Sequence, residues 1–128
     1  MSDLASSAIV ATQTYLQLMA GDSEVVTEEG VIAAAAGTVA KYTVLGRISA
    51  SGKLVPWAPA ASDGSQVPCA ILTQPVTTAG ADVRAGVYTG GFFNDAALVW
   101  PAHANADSLV KRQAAFARTP IRIGTVRL

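Results

Sequence analysis

Short runs of alternating hydrophobic and polar residues, separated by turn residues, characterise the chain from Val31 onward. Alternation with a period of two is typical of half-buried β-strands, and Ser51-Gly52 and Asp63-Gly64 are typical of the turns between them. The strands predicted from this pattern are residues 44–48, 54–57, 70–73, 83–88, a segment through Phe92 and Phe93, 98–100 and 121–123. We therefore expect a mostly β domain.

Proline and glycine limit several of these strands. Pro56 has no N–H group to donate to a ladder, so its strand is expected to lie at a sheet edge or to end there. Gly90-Gly91 is expected to be a flexible break. In the strand before that break, Val83, Ala85 and Val87 share one face, which predicts that this face is buried.

One helix is predicted near residues 106–117. Asn105 can cap its start, and Asp107 in the first turn interacts favourably with the helix dipole. Thr119 precedes Pro120, and a residue before proline avoids helical geometry, so the helix ends there. The apolar face expected to dock on the sheet comprises Leu109, Val110, Ala114, Phe116 and Ala117.

The pattern changes near Gly30, and this predicts two parts: an amino-terminal arm over residues 1–30 and a β-rich domain over residues 31–128. The arm keeps no sustained period of either 3.6 or 2. Within it, Thr14, Leu16 and Leu18 alternate with Tyr15, Gln17 and Met19, so the segment can pair as an extended strand, whereas Ile9, Leu16 and Met19 can equally line a short helix. The arm is therefore expected to be extended, with the helical alternative open.

Composition points to an assembled protein. Hydrophobic residues make up 51% of the 128 residues and charged residues 14%, where roughly a quarter is usual for charged residues in soluble domains. So few charges leave a monomer little solubilising surface, so we expect an oligomer or a protein that docks on a larger surface. The apolar run at residues 8–11 lacks a preceding basic residue and is interrupted by Thr12 and Gln13. It therefore fails as a secretory signal or membrane span, and a soluble protein is expected.

The net charge is zero, yet the charges are segregated along the chain. Residues 1–30 contain five acidic side chains and no Lys or Arg, whereas the chain from Leu109 onward contains five basic side chains and no acidic one. Two solvated faces of opposite sign would explain this, as would an acidic arm that meets a basic surface on a neighbouring subunit or host. Direct nucleic-acid binding is not expected, because the attraction between a neutral protein and phosphates is weak.

No catalytic residue, metal site or cofactor is predicted, and we expect the protein not to be an enzyme. His103 is the single histidine and is expected at the surface or as a minor cap, and the single cysteine, Cys69, as a small buried packing residue in a reducing compartment. Asp63, Asp82 and Asp95 each stand beside a turn residue, where aspartate commonly bonds the local backbone.

Trp57 and Trp100 each end a predicted strand beside a proline. One interpretation makes them core or rim anchors of the domain. The other places at least one of them, with Pro101, at a subunit or capsid interface, where aromatic side chains commonly dominate the binding energy.

An ordered set of motifs carries a family resemblance over residues 37–123. The motifs are Gly46-Arg47-Ile48, Gly52-Lys53-Leu54-Val55-Pro56-Trp57, Asp63-Gly64, Ala70-Ile71-Leu72, Leu98-Val99-Trp100-Pro101 and Ala115-Phe116-Ala117 followed by Pro120-Ile121. In this order they resemble the phage head decoration proteins of the lambda-type protein D family. Tyr42 departs from that family, in which glycine is commoner at this position.

The resemblance implies an α+β, mostly β fold: a small barrel-like domain with one short helix. It also implies a homotrimer that binds the major capsid protein on the outer surface of the virion, at three-fold and quasi-three-fold positions of the expanded head. The protein would be made in the bacterial host cytoplasm and would stabilise the head against internal DNA pressure, without nucleic-acid or membrane contact. A soluble ligand- or carbohydrate-binding β module of a virion or bacterial cell is the alternative.

The arm is the hypothetical capsid-binding element. An extended arm can add a strand to an exposed sheet edge on the capsid, with backbone hydrogen bonds giving affinity and alternate side chains filling pockets. The side chains expected to make this contact are Ile9, Val10, Tyr15, Leu16 and Leu18.

Overall fold

A computed structural model describes residues 24–125 of the chain. Within these residues the chain forms eight β-strands, one α-helix and three short 3-10 turns. The strands are β1 (Val26–Ile32), β2 (Thr38–Val39), β3 (Val44–Arg47), β4 (Leu54–Pro56), β5 (Pro68–Leu72), β6 (Val76–Thr77), β7 (Val83–Asn94) and β8 (Ile121–Gly124). The helix is α1 (Leu109–Ala115), and the 3-10 turns are Ala34–Ala36, Asp95–Ala97 and Ala104–Ala106.

Five strands close into a barrel in the order β1, β4, β3, β5, β7, with β1 returning to pair with β7. All of these pairings are antiparallel except that of β1 with β4, which is parallel and consists of a single pair, Ile32 with Leu54. Strand β8 continues the sheet by pairing parallel to β7. The expected mostly β, barrel-like domain with one short helix is confirmed.

Besides its pairing with β5, strand β7 pairs with two further strands along its length. Its first half pairs with β1, from Val83 opposite Ile32 to Gly90 opposite Val26, and its second half pairs with β8 from Gly91 onward. A Cβ at Gly90 would lie 3.2 Å from Val26 and 3.5 Å from Pro120, and Gly91 has a φ of 140°. The predicted flexible break is therefore wrong, because these glycines let two strands approach an uninterrupted β7.

Alternation along the barrel strands separates two hydrophobic cores. In β5, Ala70 and Leu72 face one core and Ile71 faces the other, and in β3 the same holds for Leu45 and Val44. This is the period-two pattern of side chains on a strand. The barrel core consists of Ile32, Val39, Leu45, Leu54, Ala70, Leu72, Val76 and Val87.

The second cluster, here called the outer core, packs against the opposite face of the same strands. It contains the large aromatic side chains, and α1 and β8 border it. The members of the outer core are Val44, Trp57, Ile71, Phe93, Leu98, Ala106, Phe116, Ile121 and Ile123. The predicted burial of Val83, Ala85 and Val87 on one face agrees with their packing on the barrel core.

The helix is shorter than expected and uses a different cap. Helix α1 begins at Leu109, because the Ser108 hydroxyl accepts from the Lys111 N–H at 3.4 Å. The expected cap, Asn105, lies in a 3-10 turn, where its own N–H donates to Nδ1 of His103 at 3.0 Å. His103 therefore acts as a minor cap, as predicted.

The predicted apolar face of the helix is only partly buried. Val110 is 74% exposed, and Ala114 and Ala117 are also exposed. Phe116 is buried in the outer core, with Leu109 packed against it. A helix of seven residues makes about two turns, so only one narrow flank of it contacts the sheet.

Strand β1 crosses the boundary predicted at Gly30. Residues 26–30 pair with β7 although residues 26–29 are exposed, because backbone hydrogen bonds with β7 do not require buried side chains. The predicted arm contacts Ile9, Val10, Tyr15, Leu16 and Leu18 lie outside the described residues.

Tyr42 has a φ of 65°, in the left-handed region that glycine occupies without strain. Its N–H donates to the carbonyl of Leu72 at 2.8 Å, and its carbonyl accepts from the N–H of Val99 at 2.9 Å. The position thus requires a turn geometry in which glycine is the easier residue. The tyrosine ring packs against the outer core and lies 4.8 Å from the ammonium of Lys41.

Candidate interaction surfaces

The two tryptophans join the outer core through ring contacts. The rings of Trp57 and Trp100 lie edge to face with centroids 6.1 Å apart, and Trp100 makes a second contact of the same kind with Phe116. Trp57 donates its indole N–H to the carbonyl of Gln66 at 2.7 Å, and Trp100 donates to that of Asp95 at 2.9 Å. Both rings are therefore anchored within the chain, as the first interpretation predicts.

Arg112 ties helix α1 to this aromatic cluster. Its guanidinium lies 4.8 Å from the Trp100 ring centroid, and Nη1 bonds both carboxylate oxygens of Asp95 at 2.9 and 3.0 Å. Its Nε donates to the carbonyl of Ala106 at 2.6 Å. The two charged side chains are only 21% and 16% exposed, so the pair is largely withdrawn from water. Charge-assisted bonds of this kind are stronger than neutral ones and hold the helix in place.

A small cleft of about 160 Å³ brings together the predicted interface anchors Trp57, Trp100 and Pro101. Val99, which is 43% exposed, lies on its rim. The other residues that line this cleft are Thr43, Val44 and Pro56. The contribution of this cleft to an interface stays a prediction.

A larger groove of about 400 Å³ lies where β1 begins, and it is called the mouth groove here. The residues that line it are Val26, Glu28, Cys69, Thr89, Arg118, Thr119 and Pro120. Val26, Glu28 and Gly30 alternate with their neighbours and therefore share the face of β1 that carries the buried Ile32. The mouth groove is thus an extension of the barrel interior, and it begins where the buried side chains of the barrel core end.

Cys69 packs against the barrel core, as expected, although it is only partly buried and also lines the mouth groove. Burial raises the pKa of its thiol, and nearby Arg47 opposes this change in part. The thiol is therefore held in its protonated form at neutral pH, where it is a weak nucleophile.

The segregated charges meet at the same groove. Glu28 from the acidic segment and Arg118 from the basic segment both line it, without an ion pair between them. Elsewhere on β1, Glu29 pairs with Arg84 at 3.4 Å through side chains that are 66% and 78% exposed. Of the segregated charges, Glu28 and Arg118 thus lie in one neighbourhood of the molecule.

The three aspartates expected to bond the local backbone behave differently. Asp63 does so, because it accepts from the Ser65 N–H at 3.0 Å and from the Ser65 hydroxyl, and these bonds lower its pKa. Asp82 instead joins distant segments: it pairs with Lys53 at 2.6 Å and accepts from the Ala34 N–H at 2.8 Å. These two contacts, in that order, lower the pKa of Asp82. Asp95 pairs with the helix.

Two properties of the described residues bear on other kinds of site. Residues 24–125 contain no group of three His, Cys, Asp or Glu side chains placed to share a metal ion. Among the helices of the same residues, none has the length and apolar character needed to cross a membrane.

Comparison with protein families finds one match that covers most of the chain. The family described as bacteriophage lambda head decoration protein D matches residues 11–123. The match begins earlier than the motifs that carry the resemblance and so includes part of the segment ahead of β1. Comparison with curated proteins finds no significant match.

Proposed function

Because this chain belongs to the bacteriophage lambda head decoration protein D family, we propose that it binds the outer surface of the expanded phage head as a homotrimer. The family assigns the chain to the virion capsid as a structural, decorating protein. Three-fold and quasi-three-fold positions of the shell are the proposed sites, and the major capsid protein is the proposed partner. The family match over residues 11–123 carries this proposal.

Avidity accounts for firm attachment by a small protein. A trimer presents each contact three times, and after the first contact the others become effectively intramolecular. A ligand that binds the expanded shell but not the unexpanded one stabilises the expanded state by mass action. Decoration would in this way help the head to withstand the pressure of packaged DNA, without any bond being made or broken.

The arm ahead of β1 is the proposed capsid-binding segment. Ile9, Val10, Tyr15, Leu16 and Leu18 would fill pockets beside an exposed strand edge of the shell. Residues 1–23 contain no Lys or Arg, which suits a protein surface better than a nucleic acid. The tryptophan cleft, with Trp57, Trp100 and Pro101, is a second proposed contact, because Val99 leaves apolar surface exposed at its rim.

The test compares two shells of the same phage. Purified protein is mixed with expanded, undecorated heads and with unexpanded heads, and co-sedimentation is measured. We expect binding to the expanded heads alone, together with a higher temperature of head disruption. Light scattering of the free protein reports whether it is a trimer before docking. Failure to sediment with either shell would refute the proposal.

A variant without residues 1–20 tests the arm separately. We expect it to fold, since β1 begins at Val26, and to lose most of its binding to expanded heads. The matched control is Val110→Asp, which places a charge on an exposed helix position remote in sequence from the arm. Undiminished binding by the truncated chain would remove the arm from the proposal while leaving capsid decoration intact.

A further inference from the structure

The mouth groove combines apolar surface with one acidic and one basic side chain. Val26, which is 41% exposed, lines it together with Pro120 and the partly buried Cys69. Glu28 reaches the groove from β1, and Arg118 reaches it from the segment that precedes β8. Exposed apolar surface with polar residues at its border is typical of a site that contacts another protein.

Neither of these two charges has a partner in the part of the chain that the structure describes. The ion pairs of residues 24–125 use other basic side chains, namely Lys53, Arg84, Lys111 and Arg112. Glu28 and Arg118 are both exposed, and neither makes an ion pair within these residues. Glu29 differs, because it lies on the other face of β1 and pairs with Arg84. Two opposite charges are therefore available on one groove.

A second copy of the chain is the partner that supplies both complementary charges. A different protein would need a base of its own opposite Glu28 and an acid of its own opposite Arg118, whereas a second copy already carries both. Complementary charges across an interface fix the orientation of the two surfaces and disfavour wrong partners. We propose that the mouth groove is a contact between copies of this chain, in which Glu28 of one copy pairs with Arg118 of the next.

The proposed homotrimer, on which this inference rests, requires a contact of this kind. A closed ring of three copies is built from heterologous contacts, so each copy meets its two neighbours through different residues. In such a ring Glu28 of each copy faces one neighbour and Arg118 faces the other. The three grooves then lie near the three-fold axis, where Val26 and Pro120 are removed from water, which is favourable for apolar surface.

Charge reversal in the full chain tests the contact. Glu28→Arg and Arg118→Glu each place like charges opposite one another in all three contacts of the ring. Each single variant should therefore raise the concentration at which half of the chains are trimers by at least about tenfold. The double variant, Glu28→Arg with Arg118→Glu, restores opposite charges and should return this concentration to that of the original chain. Analytical ultracentrifugation over a range of protein concentrations measures it.

Glu29→Arg is the matched control, because it makes the same change of charge at the next residue of β1, on the opposite face. It breaks only the exposed pair with Arg84 and should leave association unchanged. Added salt should narrow the difference between the single variants and the original chain, since salt screens the repulsion between exposed charges. The fluorescence of Trp57 and Trp100, which lie in or against the outer core, should be the same in every variant and shows that the domain is folded.

A mixture of the two single variants distinguishes a ring of three from a two-fold dimer. A two-fold dimer with one copy of each variant has opposite charges at both contacts, so association would be restored in full. A ring of three contains an odd number of contacts, so at least one like-charged contact remains. We expect trimers whose association is only partly restored. Full restoration as dimers would overturn the ring.

Failure of the contact and failure of the homotrimer give different results. An original chain that stays monomeric at every concentration would refute the homotrimer and this contact with it. Trimers that tolerate either single reversal, or single variants that the double variant does not restore, would refute the contact alone. Single variants that stay trimeric but no longer sediment with expanded heads would assign the mouth groove to the capsid and would likewise refute the contact between copies.

Discussion

The barrel core and the outer core share the strands β3, β5 and β7 but are held together differently. The barrel core consists of aliphatic side chains enclosed by backbone pairing. The outer core contains the aromatic rings and is bordered by polar contacts: the two indole N–H bonds and the pair between Arg112 and Asp95. The first core therefore depends on strand register, and the second depends on particular side-chain partners.

The two cores therefore have different roles within one small domain. Aliphatic packing tolerates exchange among side chains of similar volume, so the barrel core defines the fold without fixing any one residue. Aromatic rings with bonded N–H groups have fewer alternative arrangements. The outer core thus sets the positions of α1, β8 and the tryptophan cleft, each of which contributes to the surface of the domain.

The largest effect is expected from removing an aromatic ring of the outer core. Phe116→Ala should lower the free energy of unfolding by about 3–5 kcal/mol, because Phe116 is buried and also contacts Trp100. Denaturant unfolding measures this change. Val110→Ala in α1, the helix that Phe116 caps, should change stability by less than about 0.5 kcal/mol, since Val110 is exposed. A small effect at Phe116 would show that α1 contributes little to the fold.

The next largest loss of stability is expected from adding a methyl group to a glycine in a barrel strand. At Gly46 in β3 an added Cβ would collide with the backbone carbonyl of Ser65, which has little freedom to move. Gly46→Ala should therefore cost about 1–3 kcal/mol. Gly86→Ala is the control, because there the nearest atom is the Thr73 hydroxyl at 3.2 Å. Equal midpoints of urea unfolding for the two variants would contradict this explanation.

The loss of either charged contact should cost less than the loss of the Phe116 ring and no more than the change at Gly46. Arg112→Met leaves the largely buried carboxylate of Asp95 without its partner and should cost about 1–3 kcal/mol. Arg84→Met breaks the exposed pair with Glu29 and should cost less than about 1 kcal/mol. Thermal unfolding at low and high salt compares them. Identical losses would show that burial does not strengthen the Arg112 pair.

The smallest effect on stability is expected from removing the Asp82 carboxylate, and this effect should depend on pH. The pKa of Asp82 lies below its ordinary value of 3.8, first through Lys53 and then through the Ala34 N–H. A carboxyl with a lowered pKa in the folded state contributes stability above its ordinary pKa and loses that contribution as the pH falls through the folded value. Asp82→Asn should thus lower Tm slightly at pH 7 and not at the acid end of this window. A loss of Tm that did not depend on pH would contradict the assignment.

Much of the barrel could be predicted from alternation, because each strand has one face on a core. The pattern places Ala70 and Leu72 opposite Ile71, and the structure distributes them in that way between the two cores. Alternation gives no information on pairing, so the closure of β1 on β7 could not be predicted. The start of β1 could not be predicted from the hydrophobic pattern either, since the side chains of residues 26–29 are exposed and only their backbone is paired.

The helix start shows where local preference is insufficient. Asn105 and Ser108 are caps of similar quality, so the sequence does not decide between them. In the structure Arg112 bonds the Ala106 carbonyl, and the residues around Asn105 turn separately under the His103 cap. The separate turn at Asn105 and the use of Ser108 as the cap thus go together with these two local contacts.

The candidate surfaces were predictable to different degrees. Trp57, Trp100 and Pro101 stand out by residue type, and the structure brings them to one cleft. The mouth groove could not be predicted, because its residues come from β1, β5, β7 and the segment before β8.

The change of partner along β7 has a mechanical consequence. The first and last strands of the described chain both attach to this one strand, β1 antiparallel to its first half and β8 parallel to its second half. A pull that enters through residue 24 along the axis of β1 would load all the pairs between β1 and β7 in shear at once, rather than opening them one after another. Because β1 is antiparallel and β8 parallel to β7, residue 24 and residue 125 both lie toward the carboxyl end of β7, so a load applied at either end of the described chain enters the barrel from the same side.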